Sequence, residues 1–141
     1  MIKFSYAPDG IGEGSFKSSY FKDDMGGNEF TVYIKDKSFQ SYAEECIQHF
    51  NTLSESVIND ICQKIVTYVE QDCEDFDLPE LEKTTDILNY CGFGSLEIGY
   101  PKHRISYVIQ GEGDWGEYFE VIIKDSIPVY AGAEYSYEDW S

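Results

Sequence analysis

Ser56-Val57-Ile58-Asn59-Asp60-Ile61-Cys62-Gln63-Lys64-Ile65-Val66-Thr67-Tyr68-Val69 is the stretch on which the fold turns. Val57, Ile58, Ile61, Cys62, Ile65, Val66 and Val69 recur at three- and four-residue spacing and share one broad helical face. Asn59, Asp60, Gln63, Lys64, Thr67 and Glu70 fall largely on the other. An apolar face of that width has to be covered, and a sheet covers it well. Just upstream, Thr52-Leu53-Ser54-Glu55 matches a capping box, with the Thr52 hydroxyl accepting from the Glu55 amide. Further upstream, Ser38 is expected to cap a helix carrying Tyr42, Cys46, Ile47 and Phe50 inward. Downstream, Asp77-Leu78-Pro79-Glu80 offers an N-cap, an early proline and an N3 glutamate. A short third helix is expected from there to about Asn89, stopped by Gly92 in a left-handed C′ position.

Strands flank these helices on both sides. Ser15 to Phe21 and Glu29 to Lys35 are rich in aromatic and β-branched residues, and Phe30, Val32 and Ile34 alternate with Thr31, Tyr33 and Lys35. Lys22-Asp23-Asp24-Met25-Gly26-Gly27-Asn28 supplies the reversal of a hairpin, and Gly10-Ile11-Gly12-Glu13-Gly14 reads as a loop leading into it. After the helices come Ser95–Tyr100, Arg104–Gln110, Tyr118–Lys124 and Ile127–Tyr130, with a longer loop over Gly111–Gly116. Pro128 cannot donate to a ladder, which places the last strand at an edge. The expected architecture is one α+β domain over residues 1–141. It has a mainly antiparallel sheet, two or three helices packed on one face, and the order β-β-(α-α-α)-β-β-β-β.

The chain has 27 acidic and 10 basic residues, a formal net charge of −17, yet 42% of it is hydrophobic and 16% aromatic. That composition builds a packed core rather than a disordered acidic tail. A strongly negative surface repels nucleic acid and anionic lipid and attracts cationic proteins from a distance, so neither nucleic acid nor membrane is expected as a partner. No stretch approaches the roughly 18 to 20 apolar residues of a membrane span. The first ten residues, Met1 to Gly10, lack the apolar segment of a secretory signal, so the cytoplasm is the expected compartment.

The candidate chemical motifs are weak. Cys46, Cys62, Cys73 and Cys91 are widely spaced, form no C-x-x-C pair, and are expected to be reduced and structural. Neither His49 nor His103 completes a zinc set or a nucleophile motif. The glycine loops lack the lysine and hydroxyl of a phosphate-binding loop. The acidic run over Glu70, Asp72, Glu74, Asp75, Asp77, Glu80 and Glu82 lacks an EF-hand's central glycine and closing glutamate. No cofactor, no metal and no catalytic residue is therefore expected. With so many acids, a carboxylate pair by itself does not signal a hydrolase.

The C-terminal quarter is more pointed. From Ile105 to Ser141 the only basic residue is Lys124, while aromatics and carboxylates interleave. Aromatic residues provide contact area at low entropic cost and carboxylates steer a cationic partner. Glu112, Asp114, Trp115, Glu117, Tyr135, Tyr137 and Trp140 are the expected partner-binding residues.

The segment from Gly111-Glu112-Gly113-Asp114-Trp115-Gly116 through Val121-Ile122-Ile123-Lys124-Asp125 to Val129-Tyr130-Ala131-Gly132 carries a resemblance, supported by the Leu78-Pro79-Glu80-Leu81 lead into a short helix. It resembles the closing hairpin of a family of small acidic bacterial domains. Those domains are similar to immunity proteins of polymorphic-toxin and contact-dependent growth-inhibition systems. The resemblance covers roughly residues 28 to 141 and implies a non-enzymatic protein that neutralises a cognate basic toxin domain, possibly a nuclease. A regulatory or structural protein-binding module and a carboxylate-dependent hydrolase are the alternatives.

Overall fold

The computed structural model describes residues 2–102 and 104–133. Among them seven strands form one sheet in chain order. These are β1 (Ser5–Tyr6), β2 (Gly12–Lys17), β3 (Glu29–Ile34), β4 (Cys91–Ile98), β5 (Ser106–Gly113), β6 (Tyr118–Lys124) and β7 (Ile127–Gly132). Every neighbouring pair is antiparallel except β3 and β4, which run parallel with Thr31 opposite Ser95 and Tyr33 opposite Glu97. Between those two strands the chain crosses over through α1 (Gln40–Asn51), α2 (Glu55–Asp72) and two 3-10 segments, Lys37–Phe39 and Thr84–Tyr90. The class is the α+β arrangement that the sequence predicts, with β7 at one edge and an extra short strand, β1, at the other.

The core lies between the helices and one face of the sheet. Phe30, Val32 and Ile34 of β3, Leu96 and Ile98 of β4, Tyr107 and Ile109 of β5, and Phe119, Val121 and Ile123 of β6 point into it. They meet Ile58, Ile61, Cys62, Ile65, Val66 and Val69 of α2 and Ala43, Cys46, Ile47 and Phe50 of α1. Phe50 is the centre of an aromatic cluster, stacked on Phe21 at 5.5 Å and edge-on to Tyr107 at 5.9 Å. His49 beside it bonds the Tyr107 hydroxyl through Nδ1 at 2.9 Å, and burial lowers its pKa. Burial of the thiols pushes Cys46 up to about 11 and Cys62 up to about 12, consistent with inert free cysteines.

Several local expectations shift. The Gly10–Gly14 loop is partly strand, because Gly12 and Gly14 occupy successive inward positions that have no room for a side chain. A Cβ at Gly12 would meet Ile34 and Tyr6 at 2.8 Å, and one at Gly14 would meet Ile2 at 2.8 Å. Ser54 rather than Thr52 caps α2, accepting from the Val57 amide at 3.2 Å. Thr52 instead ends α1, its hydroxyl donating to the Gln48 carbonyl at 2.7 Å. Ser38 does not cap α1, which starts after Phe39 with no side-chain cap; Asp36 instead caps the preceding 3-10 segment, accepting from the Ser38 amide at 2.8 Å. The third helix is a 3-10 segment beginning only at Thr84. Pro79 disfavours a helical conformation at Leu78, and Leu78 and Leu81 reach the core from an irregular connector.

Gly92 does not end a helix but lies within β4. A Cβ there would stand 2.3 Å from the Asp24 backbone nitrogen, and the adjacent Phe93 amide donates to the Lys22 carbonyl at 2.9 Å. The turn after β2 is thereby pressed against the sheet. Backbone cannot yield as a flexible side chain does, so Gly92→Ala should cost about 2 kcal/mol or more. A urea melt with an unchanged midpoint would contradict this packing.

Candidate functional site: the helix-free face of the sheet

The strand positions that alternate with the core residues project away from the helices. On β2, β3 and β4 they place Glu13, Tyr33 and Glu97 directly opposite one another across three strands. One step along, Ser95, Gln110 and Glu120 form a second row across β4, β5 and β6. The rows are joined through Gln110, whose Nε2 donates to Glu97 Oε2 at 3.3 Å while its Oε1 accepts from Ser95 Oγ at 2.5 Å. Tyr118 hydrogen-bonds Glu120 on the far side. Lys35 Nζ stands 3.9 Å from Glu97 Oε1 and 5.1 Å from the centre of the Tyr100 ring.

The electrostatics of this face are unusual for so acidic a chain. Glu120 is only 3% exposed. Burial raises its pKa to about 7, the Glu97 charge adds to the rise, and the Tyr118 and Gln110 hydrogen bonds oppose it. Burial likewise raises Glu97, with Lys35 pulling the other way. Tyr33 and Tyr118 are both raised, first by burial and then by the neighbouring Glu13 and Glu120 carboxylates respectively. Two cavities flank the network. One, of about 290 Å³, has Ser95, Gln110, Glu112 and Tyr118 in its wall; the other, of about 380 Å³, has Ile11, Tyr33, Lys35, Glu97 and Gln110. Glu120 lines neither. Among the described residues no group of three or more His, Cys, Asp or Glu is placed to hold a metal ion.

Of the expected partner-binding residues, Glu112 borders this same face, and three others lie in the turn beyond it. Glu112 ends β5 opposite Tyr118, and Asp114, Trp115 and Glu117 form the β5–β6 turn. Glu112, Asp114 and Glu117 are exposed, but Trp115 is half-buried against Tyr68, Phe76 and Phe119. Its indole N–H is buried and finds no acceptor among the described residues. The Tyr68 hydroxyl and the Cys73 thiol both donate to Glu117, tying the turn to the end of α2. The Asp114 amide donates to the Tyr90 carbonyl at 2.8 Å. Tyr135, Tyr137 and Trp140 lie outside the described residues.

Residues 7–130 match the family described as Domain of unknown function (DUF6985). The chain belongs to the DUF6985 family. No curated protein matches it, and no solved structure does. In this DUF6985 chain the matched span includes both the sheet-face network and the β5–β6 turn. Among the described residues no helix is long and apolar enough to cross a membrane.

Sequence reasoning passed over Glu13, Tyr33, Glu97, Gln110, Tyr118 and Glu120. A signal was present at one of them: Glu120 is a lone acid inside Tyr118-Phe119-Glu120-Val121-Ile122-Ile123. The face gives a pH signature. Glu120 is held near 7 in the fold against an ordinary 4.5, so the folded chain retains a proton that the unfolded chain releases. Its contribution is fully present below about 4.5 and is lost as pH rises through 7. His49 acts in the opposite sense, disfavouring the fold as pH falls through the ordinary imidazole value of 6.5. Glu120→Gln isolates the first effect. It should gain stability over the parent as pH rises from 4.5 to 8, by up to about 3 kcal/mol. Parallel stability-against-pH curves for the two proteins would show that Glu120 is not buried as described.

Proposed function

We propose that this chain is a cytoplasmic, non-catalytic immunity-type protein that binds and blocks a basic toxin domain. The observation that carries the reading is the placement of charge at one end of the molecule. Glu70 and Asp72 sit in the last turn of α2, which has no basic residue, and Glu74, Asp75 and Asp77 follow directly, all exposed. Asp114 and Glu117 adjoin them across the Trp115–Phe76 and Cys73–Glu117 contacts. A helix C-terminus carries negative partial charge, so acids there cost about 0.3–1 kcal/mol each rather than adding stability. The ion pair found among the described residues is Lys35–Glu97, on another part of the surface. Glu117 is held by Tyr68 and Cys73, whereas the exposed carboxylates in the last turn of α2 add nothing to the fold and suit a cationic partner.

The mechanism is substrate exclusion. A nuclease holds phosphate with cationic groups, and a carboxylate-rich surface occupies those groups without offering a bond to cleave. Association is fast and salt-sensitive because it is electrostatically steered. A second reading, a carboxylate-dependent hydrolase, draws on Glu97 and Glu120, both raised by burial on one face. It ranks lower because Glu120 reaches neither cavity wall, so a bound substrate would meet Tyr118 or Gln110 first.

The proposal predicts a basic toxin domain encoded beside this chain, and co-expression with that domain tests it. The chain should restore growth and bind that domain. Affinity should fall at least about tenfold between 50 and 500 mM salt, because screening shortens the reach of surface charge. Replacing Asp72, Asp75, Asp114 and Glu117 with their amides should weaken binding mainly through slower association. Absence of both rescue and binding would overturn immunity. Binding without rescue would favour a regulatory module.

A further inference from the structure

The Glu13–Tyr33–Glu97 row has the composition and the space of a receptor for a single side chain. Adjacent strands stand about 4.8 Å apart, so carboxylates directly opposite Tyr33 on both neighbours flank its ring. Tyr33 is half-buried and hydrogen-bonds Glu13. Beside it lies the cavity of about 380 Å³, lined by the exposed Ile11 and by Tyr33, Lys35, Glu97 and Gln110. The protein's own Lys35 is drawn to Glu97, but only to 3.9 Å, at the outer limit of an ion pair. Behind this row, Gln110 links Glu97 to the row containing the buried Glu120.

We propose that Tyr33, between Glu13 and Glu97, seats an arginine side chain of the bound protein, its guanidinium on the ring and its aliphatic stem along Ile11. The proposal rests on the partner being basic and adds a second contact to it, on the helix-free face and apart from the carboxylates at the end of α2. Arginine fits where lysine does not. Its planar head stacks on an aromatic face and its donors reach oxygens on opposite sides, whereas an ammonium is a strongly hydrated point charge. A carboxylate already partly stripped of water gains more from such a partner than one on the open surface.

The test uses the full chain, with carboxyl and tyrosine-ring NMR signals followed during titration with Nα-acetyl-arginine methylamide. The lysine counterpart serves as the control of equal charge. Saturable shifts at Tyr33 and Glu97 are expected, with the lysine compound weaker by about threefold or more. Glu97→Gln, which keeps size and fold, should weaken the arginine compound about tenfold. Shifts spread evenly over all surface carboxylates, equal response to both compounds, or full binding by Glu97→Gln would each overturn the seat. The basic neighbouring domain separates the two proposals. If it binds Glu13→Gln/Glu97→Gln at parental strength, the seat falls and immunity stands. If it never binds the parent while the arginine compound does, immunity falls and the seat stands.

Discussion

One sheet with two unlike faces governs this molecule. The apolar sides of α1 and α2 press on the inward residues of β3 to β6, and that burial settles the register of those strands. A slip of one residue in β6 would exchange Phe119, Val121 and Ile123 for Tyr118, Glu120 and Ile122 against the helices. The bulge between Phe93 and Ser95 serves the same constraint. It leaves Gly94 exposed and returns Leu96 and Ile98 to the core after Phe93. With the helices committed to one face, the other settles its polar groups among strands alone, through Gln110, Tyr118 and Ser95.

Charge is distributed against that frame in two ways. At the end of α2 and in the β5–β6 turn, carboxylates are exposed and hydrated, and their mutual repulsion is moderated by water and salt. On the sheet face, Glu97 and Glu120 have lost much of that hydration, and the energetic consequence appears as raised pKa values. Exposed acids act at long range on whatever approaches. Desolvated ones discriminate at short range between cations of different shape, and the protein presents both kinds.

The layered architecture was legible because it rests on strong periodicities: the α2 face from Val57 to Val69, and the alternation in Phe30, Val32 and Ile34. What misled were short signals whose outcome depends on distant residues. Thr52-Leu53-Ser54-Glu55 contains two hydroxyl residues able to cap, and the length of α1 decided between them. Gly12 and Gly14 read as loop because their reason for being glycine is the packing of Ile2, Tyr6 and Ile34 against them. Trp115 stood out as a contact residue by type, whereas Phe76, Tyr68 and Phe119 enclose it. Glu97 could not be associated with Tyr33 and Glu13 from sequence, because its adjacency depends on a pairing between strands far apart in the chain.

That pairing has a kinetic meaning. β1 to β3 and β4 to β7 each join through antiparallel neighbours close in sequence, but β3 meets β4 only after residues 35–90 have been brought round between them. The entropy of closing that long loop falls on a single seam, so the local hairpins and helices are expected to form before the seam. Tyr33 and Glu97 lie on opposite sides of the seam. A chain emerging from synthesis, or one partly opened, can display its acidic exterior and still lack this constellation. The arginine seat proposed above therefore exists only once this seam has closed.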